Sequence, residues 1–290
     1  MMNDGLKKRL LLFCALLASC AAAAQPQYAK ADSLKVADLL WQARKSPSAH
    51  TNYMLYFGRK LQGIPYVAHT LESNNRERLV VNLRQLDCTT FTENVLALTL
   101  CMQNKAYTFK SFCDYLQKIR YRGGGTPAYT SRLHYFTTWI LDNTQMGICR
   151  EIQSSNPPFT AVQTVQASFM STHPDKYRML KATPQDIPAI RAMEKEIEGK
   201  KYRYIPKEQI KNTKLLRQTI HDGDIIVIIT RLKGLDTQHI GIAAWHKDGL
   251  HLLNASSIHG KVIEEPKTLR QYLYEHKSMP GIRVVRVAGM

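Results

Sequence analysis

Two observations predict an α+β fold. Apolar residues recur at helical spacing through the first half of the chain, and β-branched runs of strand length fill the second half. Helices that precede the strands, rather than alternate with them, imply helices on an antiparallel sheet. A third observation sets the organisation: the 290 residues contain no visible repeat and no low-complexity linker.

The helical elements come first. Asp32-Ser33 is placed to cap a helix carrying Leu34, Val36, Leu39 and Leu40, and a second helix from Tyr53 to Leu61 should stop near Gly63. From Cys88, the residues Phe91, Val95, Leu98 and Met102 follow at spacings of 4, 3 and 4, which is one face of a buried helix. Phe109, Phe112, Leu116 and Ile119 repeat that pattern, and Gly123-Gly124-Gly125 ends it. Leu133, Phe136 and Ile140 mark a further helix after Ser131. Residues 150–215 form a mixed, Pro-containing insert ending in a basic helix from Ile190 to Lys201. Strands are expected at Asp224–Thr230, His239–Trp245 and Leu250–Ala255, with Val284–Val287 closing the sheet.

The composition is that of a globular protein: 44% hydrophobic and 22% charged residues, with 15 Gly and 12 Pro. Collagen, a coiled coil and a wholly disordered chain are excluded. The formal charge of +17 suggests an anionic partner, or serves solubility alone. Compartment decides how that charge is read. Lys7, Lys8 and Arg9 precede the apolar run from Leu10 to Ala18, which is too short to span a bilayer and fits the core of a secretory signal. Leu17-Ala18-Ser19-Cys20 resembles a bacterial lipobox that would lipidate Cys20, and Ala22-Ala23-Ala24 offers ordinary cleavage before Gln25. The expected organisation is a signal segment over 1–24 and a single mature domain over 25–290. That mature chain has no transmembrane helix, and its location is the bacterial periplasm or, as a lipoprotein, the outer membrane. Nucleic acid is then not the partner, and a carboxylate-bearing cell-wall fragment is.

Cys88, Cys101, Cys113 and Cys149 remain after soluble processing, at separations of 13, 12 and 36 residues. This matches neither paired zinc ligands nor a small disulfide scaffold. Cys101 and Cys113 sit among apolar helical residues and read as core cysteines. Cys88 follows Asp87 at a helix start, where the helix field favours a thiolate. As an isolated residue it also reads as a small hydrophobe on a core helix, which is the commoner case. A thiol nucleophile needs a base. His239 opens an apolar strand, His239-Ile240-Gly241-Ile242-Ala243, with small neighbours on its own face. Asn254 ends the next strand. A tight turn on Asp248-Gly249 would pair residue 243 with 254 and leave His239 about 13 Å away along the strand. A turn centred on His246-Lys247 would set His239 opposite Asn254. Turn propensity favours the first register and a Cys-His-polar site needs the second; in the first, Asp236 becomes the next orienting candidate.

Taken together, Leu86-Asp87-Cys88-Thr89-Thr90-Phe91, Gly223-Asp224-Ile225, His239-Ile240-Gly241-Ile242, Leu253-Asn254-Ala255-Ser256 and Gly63-Ile64-Pro65-Tyr66 resemble the NlpC-like cell-wall cysteine peptidases. Within that superfamily, six ordered blocks resemble the secreted N-acetylmuramoyl-L-alanine amidase branch. They are Pro65–Ala68, Leu86–Phe91, Arg132–Phe136, Ser168–Met170 with His173-Pro174, Tyr204–Lys207 and Gly234–Asp236. The resemblance runs from Leu34 to Val287. Many relatives carry His where this chain has Asn254, and a neutral amide still orients an imidazole in papain-like sites.

The resemblance implies a papain-like core with the catalytic Cys at the start of a buried helix packed on an antiparallel sheet. It implies cleavage of the amide between (anhydro-)N-acetylmuramic acid and L-Ala of a muropeptide. Cys88 attacks, His239 is base and acid, Asn254 orients the ring, and Tyr66 assists the oxyanion. Arg132, His134 and Tyr135 are the expected substrate contacts, although Arg132 and Tyr135 read equally as flanks of a packed helix, and Ser168–Pro174 is a second candidate wall. No cofactor and no metal are expected, because the ligand spacing of zinc amidases is not found. Two alternatives stand beside this reading. One is a γ-D-glutamyl stem-peptide endopeptidase of the same fold, and the other is a non-catalytic wall-binding lipoprotein.

Overall fold

The computed structural model describes residues 25–45 and 51–289. The expected signal segment, with Cys20 and Ala24, lies outside them. Among the described residues no helix is long and apolar enough to cross a membrane.

The fold is α+β, built on an antiparallel sheet. The helical half comprises α1 (Lys30–Lys45), α2 (Tyr53–Lys60), α3 (Cys88–Gln103), α4 (Phe109–Arg120) and α5 (Phe136–Gln145). Each starts for a local reason. Asn52 caps α2 by accepting from the Leu55 N–H, and Thr108 caps α4 by accepting from Ser111. Asp87 and Thr90 form a reciprocal capping box at α3. Asp32 does not precede α1 but lies within its first turn, fully buried, where it accepts from the N–H groups of Ala29 and Leu83 and from Arg84.

The periodicity of α3 predicts one buried face, yet every residue from Thr90 to Met102 is buried. This helix is the axis of the main core, with α2, α4 and α1 around it and strands beneath. Its polar residues Thr92, Thr99 and Asn94 turn back onto carbonyls four residues earlier, so burial leaves their donors satisfied.

Helix α5 begins later than the sequence suggests. Arg132 pairs with Tyr121 across an isolated bridge and the Leu133 N–H bonds to Arg120 O, so these residues are held extended until Tyr135. The helix start is capped from 99 residues away, by Asp236 Oδ2 accepting from the Thr137 N–H at 2.6 Å.

The segment 150–215 is not an appendage to the sheet. It supplies β2 (Ala161–Thr164) and β3 (Lys201–Pro206), and β1 (Cys149–Ile152) begins just before it. Between β2 and β3 run three helices: α6 (Phe169–Thr172), α7 (Arg178–Ala182) and α8 (Ile187–Ile197). They enclose a small separate core around Tyr135, Val165, Met170, Ile190 and Ile197. The basic helix expected to reach Lys201 stops at Ile197, because Lys201 enters β3.

After α9 (Lys214–Thr219) come β4 (Ile225–Ile229), β5 (Thr237–Trp245), β6 (Leu250–Ser256), β7 (Lys261–Glu264), α10 (Leu269–Tyr274) and β8 (Gly281–Val287). The strand order is β2-β3-β8-β4-β5-β6-β7, with β1 also on β8 and every pair antiparallel. Two expectations change here. β8 lies inside the sheet rather than closing it, and β7 covers the far side of β6. One sheet face meets the helical core through Ile225, Ile240, Ile242 and Leu253. The other packs Ile226, Ala243, Leu252 and Val284 against α10.

Candidate active site

The β5–β6 register is neither of the two that the sequence allows. Ile242 faces Leu253, and Trp245 faces Leu250 across a loop closed by the His246 N–H on Gly249 O. Continuing that register sets Gly241 opposite Asn254, so His239 and Asn254 are diagonal neighbours on one face. Their side chains meet: His239 Nε2 and Asn254 Oδ1 are 2.8 Å apart. Gly241 keeps the gap open. A Cβ there would stand 2.8 Å from Leu252 Cγ and 2.9 Å from Asn254 Cβ.

The amide orientation of Asn254 is dictated by its surroundings. Its Nδ2 faces three acceptors: Glu265 Oε1 at 3.2 Å, Leu252 O at 3.3 Å and Ile263 O at 3.5 Å. Oδ1 therefore points to the imidazole, and His239 Nε2 must donate. The neutral ring carries its proton on Nε2 and its lone pair on Nδ1. Burial pulls the His239 pKa below its ordinary value, against the raising effects of Asn254 and Glu265, so the ring is neutral at physiological pH.

Cys88, the first residue of α3, lines one pocket with His239, and Thr89, Leu133, His134, Tyr135, Phe136 and Asp236 share it. The helix start does not yield a ready thiolate. Burial, then the Asp87 carboxylate, push the Cys88 thiol up to about 12, against the N–H groups of Ile240 and Thr89 and the Thr89 hydroxyl, which favour the anion. Among the described residues no hydrogen bond joins the thiol to the imidazole. Thiol and imidazole are therefore both neutral in the resting pocket.

Tyr66 stands near the thiol. It bridges Leu86 just before α3 and donates its N–H to Gly260 O; burial, then the proximity of Cys88, raise its hydroxyl to about 12, so it remains a donor. His134 lines the pocket with its Nε2 bonded to Tyr129 O at 2.7 Å. Burial and then Arg132 hold its pKa well below normal, which makes it a neutral ring. The Tyr135 ring also lines the pocket, while its hydroxyl is spent inside the protein, donating to Glu194 and accepting from the Met170 N–H.

Arg132 is placed differently from a substrate clamp. Its guanidinium is buried, paired with Glu72 and, at 3.6 Å, with Glu77, and it lies over the Tyr129 ring. It also stands outside the residues lining the pocket. Of the segment Ser168–Pro174, Met170 reaches the pocket wall. Cys101, Cys113 and Cys149 are buried free thiols.

Two contributors escape the sequence reading, Glu265 and the Ile240 N–H, and Asp236, read as a candidate to orient the imidazole, takes another place. Glu265 backs Asn254 and bonds His259 through its other oxygen, yet beside Glu264 nothing in the sequence distinguishes it. Asp236 caps α5 and walls the pocket; its spacing before His239 was the available signal. The Ile240 N–H at the thiol is a backbone group with no sequence signal at all.

Fold and site together define an α+β protein in which a thiol and an imidazole line one pocket and a buried amide contacts the imidazole. The chain belongs to the AmiA-like family, described as N-acetylmuramoyl-L-alanine amidase-like, whose model matches residues 56–282. That description implies a hydrolase whose substrate is a peptidoglycan fragment.

Solved structures share the fold. An N-acetylmuramoyl-L-alanine amidase from Bacteroides uniformis is 38% identical with a TM-score of 0.75, over 81% of this chain and 97% of that one. A putative xylanase from Bacteroides fragilis is 39% identical with a TM-score of 0.73, over 79% of this chain and 99% of that one. A Legionella pneumophila protein at 22% identity and a TM-score of 0.67 shares the fold, over 88% of this chain and 94% of that one. A comparison with curated protein sequences finds no match.

Proposed function

We propose that the protein hydrolyses the lactyl amide between N-acetylmuramic acid, in its anhydro form, and L-Ala of the stem peptide, through Cys88, His239 and Asn254. The single observation that carries this reading is the 2.8 Å contact of His239 Nε2 with Asn254 in the pocket that Cys88 lines. It fixes the tautomer that leaves Nδ1 to act as base, as in papain-type sites. In the proposed reaction His239 takes the Cys88 proton as sulfur adds to the carbonyl carbon. The same proton then goes to the departing alanine nitrogen as the C–N bond breaks. Water, deprotonated by His239, adds to the thioester and releases the muramic acid carboxylate and the thiol. The Cys88 N–H at the helix start and the Tyr66 hydroxyl serve the oxyanion.

The location belongs to the same proposal: an exported protein, lipidated at Cys20 or cleaved after Ala24. Export supplies the cell-wall fragment that the charge and the family description suit.

The test is incubation with anhydro-muramyl peptide and, separately, with free stem peptide. Intact stem peptide plus free sugar is expected from the first and nothing from the second. Cys88→Ala should abolish the release. A shortened peptide from either substrate would replace this reading with the γ-D-glutamyl endopeptidase. Absence of turnover with intact binding in both proteins would leave a wall-binding protein.

A further inference from the structure

The β5–β6 turn carries a cluster apart from the pocket. His246, Asp248 and His251 each offer one ligand atom, and these atoms lie within 4.8 Å of one another. The two imidazole rings are 4.3 Å apart between centroids.

The hydrogen bonds fix which ring nitrogens are free. His251 is buried, and its Nδ1 is 2.8 Å from Glu265 O; a carbonyl only accepts, so that nitrogen carries the proton. His251 Nε2 is then a lone pair, and it faces Asp248 Oδ1 at 3.0 Å. Two lone pairs at that distance require a cation between them or a second proton on the ring. His246 repeats the pattern, since its Nε2 contacts the Glu264 carboxylate, itself held by Arg59. His251 thus has one nitrogen engaged by a carbonyl while its lone-pair nitrogen faces Asp248, and His246 has one nitrogen engaged by a carboxylate, the outer-shell arrangement of metal-ligating histidines.

The backbone of this turn is anchored as well. Asn212 donates to Lys247 O at 3.0 Å, and Arg217 donates to His246 O at 2.8 Å. The buried His251 is a fixed ligand, and the exposed His246 and Asp248 side chains can swing the remaining ångström toward the roughly 2.0–2.2 Å bonds a metal needs.

We propose that His246, Asp248 and His251 bind one divalent transition-metal ion of the zinc class at the turn between β5 and β6. Two imidazoles and a carboxylate suit zinc and exclude magnesium and calcium, which take oxygen ligands. The ion performs no step of the amide reaction. It staples the turn whose length sets Gly241 opposite Asn254, and with it the meeting of His239 and Asn254.

The test is calorimetric titration of the mature protein with zinc chloride at pH 7.5, in a Cys88→Ala background so that the pocket thiol takes up no zinc. One equivalent is expected to bind with a Kd in the micromolar range. At a hundredfold excess over Kd the melting temperature should rise by about 5 °C or more, with no response to magnesium. The double variant His246→Gln/Asp248→Asn changes two exposed side chains. It should keep its metal-free melting temperature within about 2 °C and lose zinc affinity by roughly thirtyfold or more; Asp248→Asn alone gives the same direction. No saturable uptake by the unchanged turn, or equal uptake by the double variant, would overturn the proposal. The first outcome leaves a simple hydrogen-bonded pair of His251 and Asp248.

Discussion

Replacing Asn254 by Ala tests the proposed role of the amide most sharply. The side chain is fully buried and holds His239 Nε2 at 2.8 Å. Its loss frees the imidazole to exchange tautomers and removes the acceptor that would stabilise the imidazolium as the thiol gives up its proton. A hydrogen bond to a charged group contributes about 1.5–3 kcal/mol. At about 1.36 kcal/mol per decade, kcat should fall by roughly 10–150-fold, with KM nearly unchanged. Stability suffers too. Glu265 Oε1 loses its Nδ2 donor, although the other oxygen keeps His259, so unfolding should cost about 1–3 kcal/mol less. Steady-state kinetics on anhydro-muramyl peptide and a denaturant melt read the two effects separately. Asn254→His, which keeps a polar group able to accept from the imidazole, should restore much of kcat. A loss as complete as that of Cys88→Ala would mean that Asn254 takes part in bond making. Full kcat in Asn254→Ala would mean that the ring is oriented by something else.

Two further outcomes follow from burial. With the Cys88 thiol near 12, its alkylation by iodoacetamide should accelerate about tenfold per pH unit from pH 7 to 10 without a plateau, as quantified by mass spectrometry; a plateau between pH 6 and 8 would show a preformed thiolate–imidazolium pair instead. Arg132→Met should cost about 3–5 kcal/mol in a denaturant melt, because Glu72 and Glu77 lose their buried partner, while KM of the folded fraction stays within about threefold. A KM rise of tenfold or more with unchanged stability would return Arg132 to substrate binding.

Much of the fold was legible because it is local. The spacing of Phe91, Val95, Leu98 and Met102 needs only a period of 3.6, and the run Ile225–Ile229 needs only β-branched side chains between turn residues. Asp87 and Thr90 announce the start of α3 within four residues. The same locality placed Cys88 at that start and His239 in a strand with small neighbours. Residues 133–135 failed for the opposite reason: a helical pattern was overridden by pairing of Arg132 with Tyr121 and by the distant cap from Asp236.

What the chain determined by itself is therefore its elements, its class and the residue types that could react. Helical and strand periods, caps and charge are properties of neighbours in sequence, and they survive without knowledge of what packs where. The tertiary structure alone decided the register of β5 on β6, which lies between the two that the turn residues allowed and makes His239 a diagonal neighbour of Asn254. It also decided the protonation of the site. A helix N-terminus favours a thiolate in isolation, but desolvation of the half-buried Cys88, and then the Asp87 carboxylate, outweigh the Ile240 and Thr89 groups that favour the anion. The fate of Arg132 has the same origin. Its charge invites a substrate carboxylate until folding brings Glu72 and Glu77 to it from sixty and fifty-five residues away, where the low dielectric makes those pairings the stronger ones.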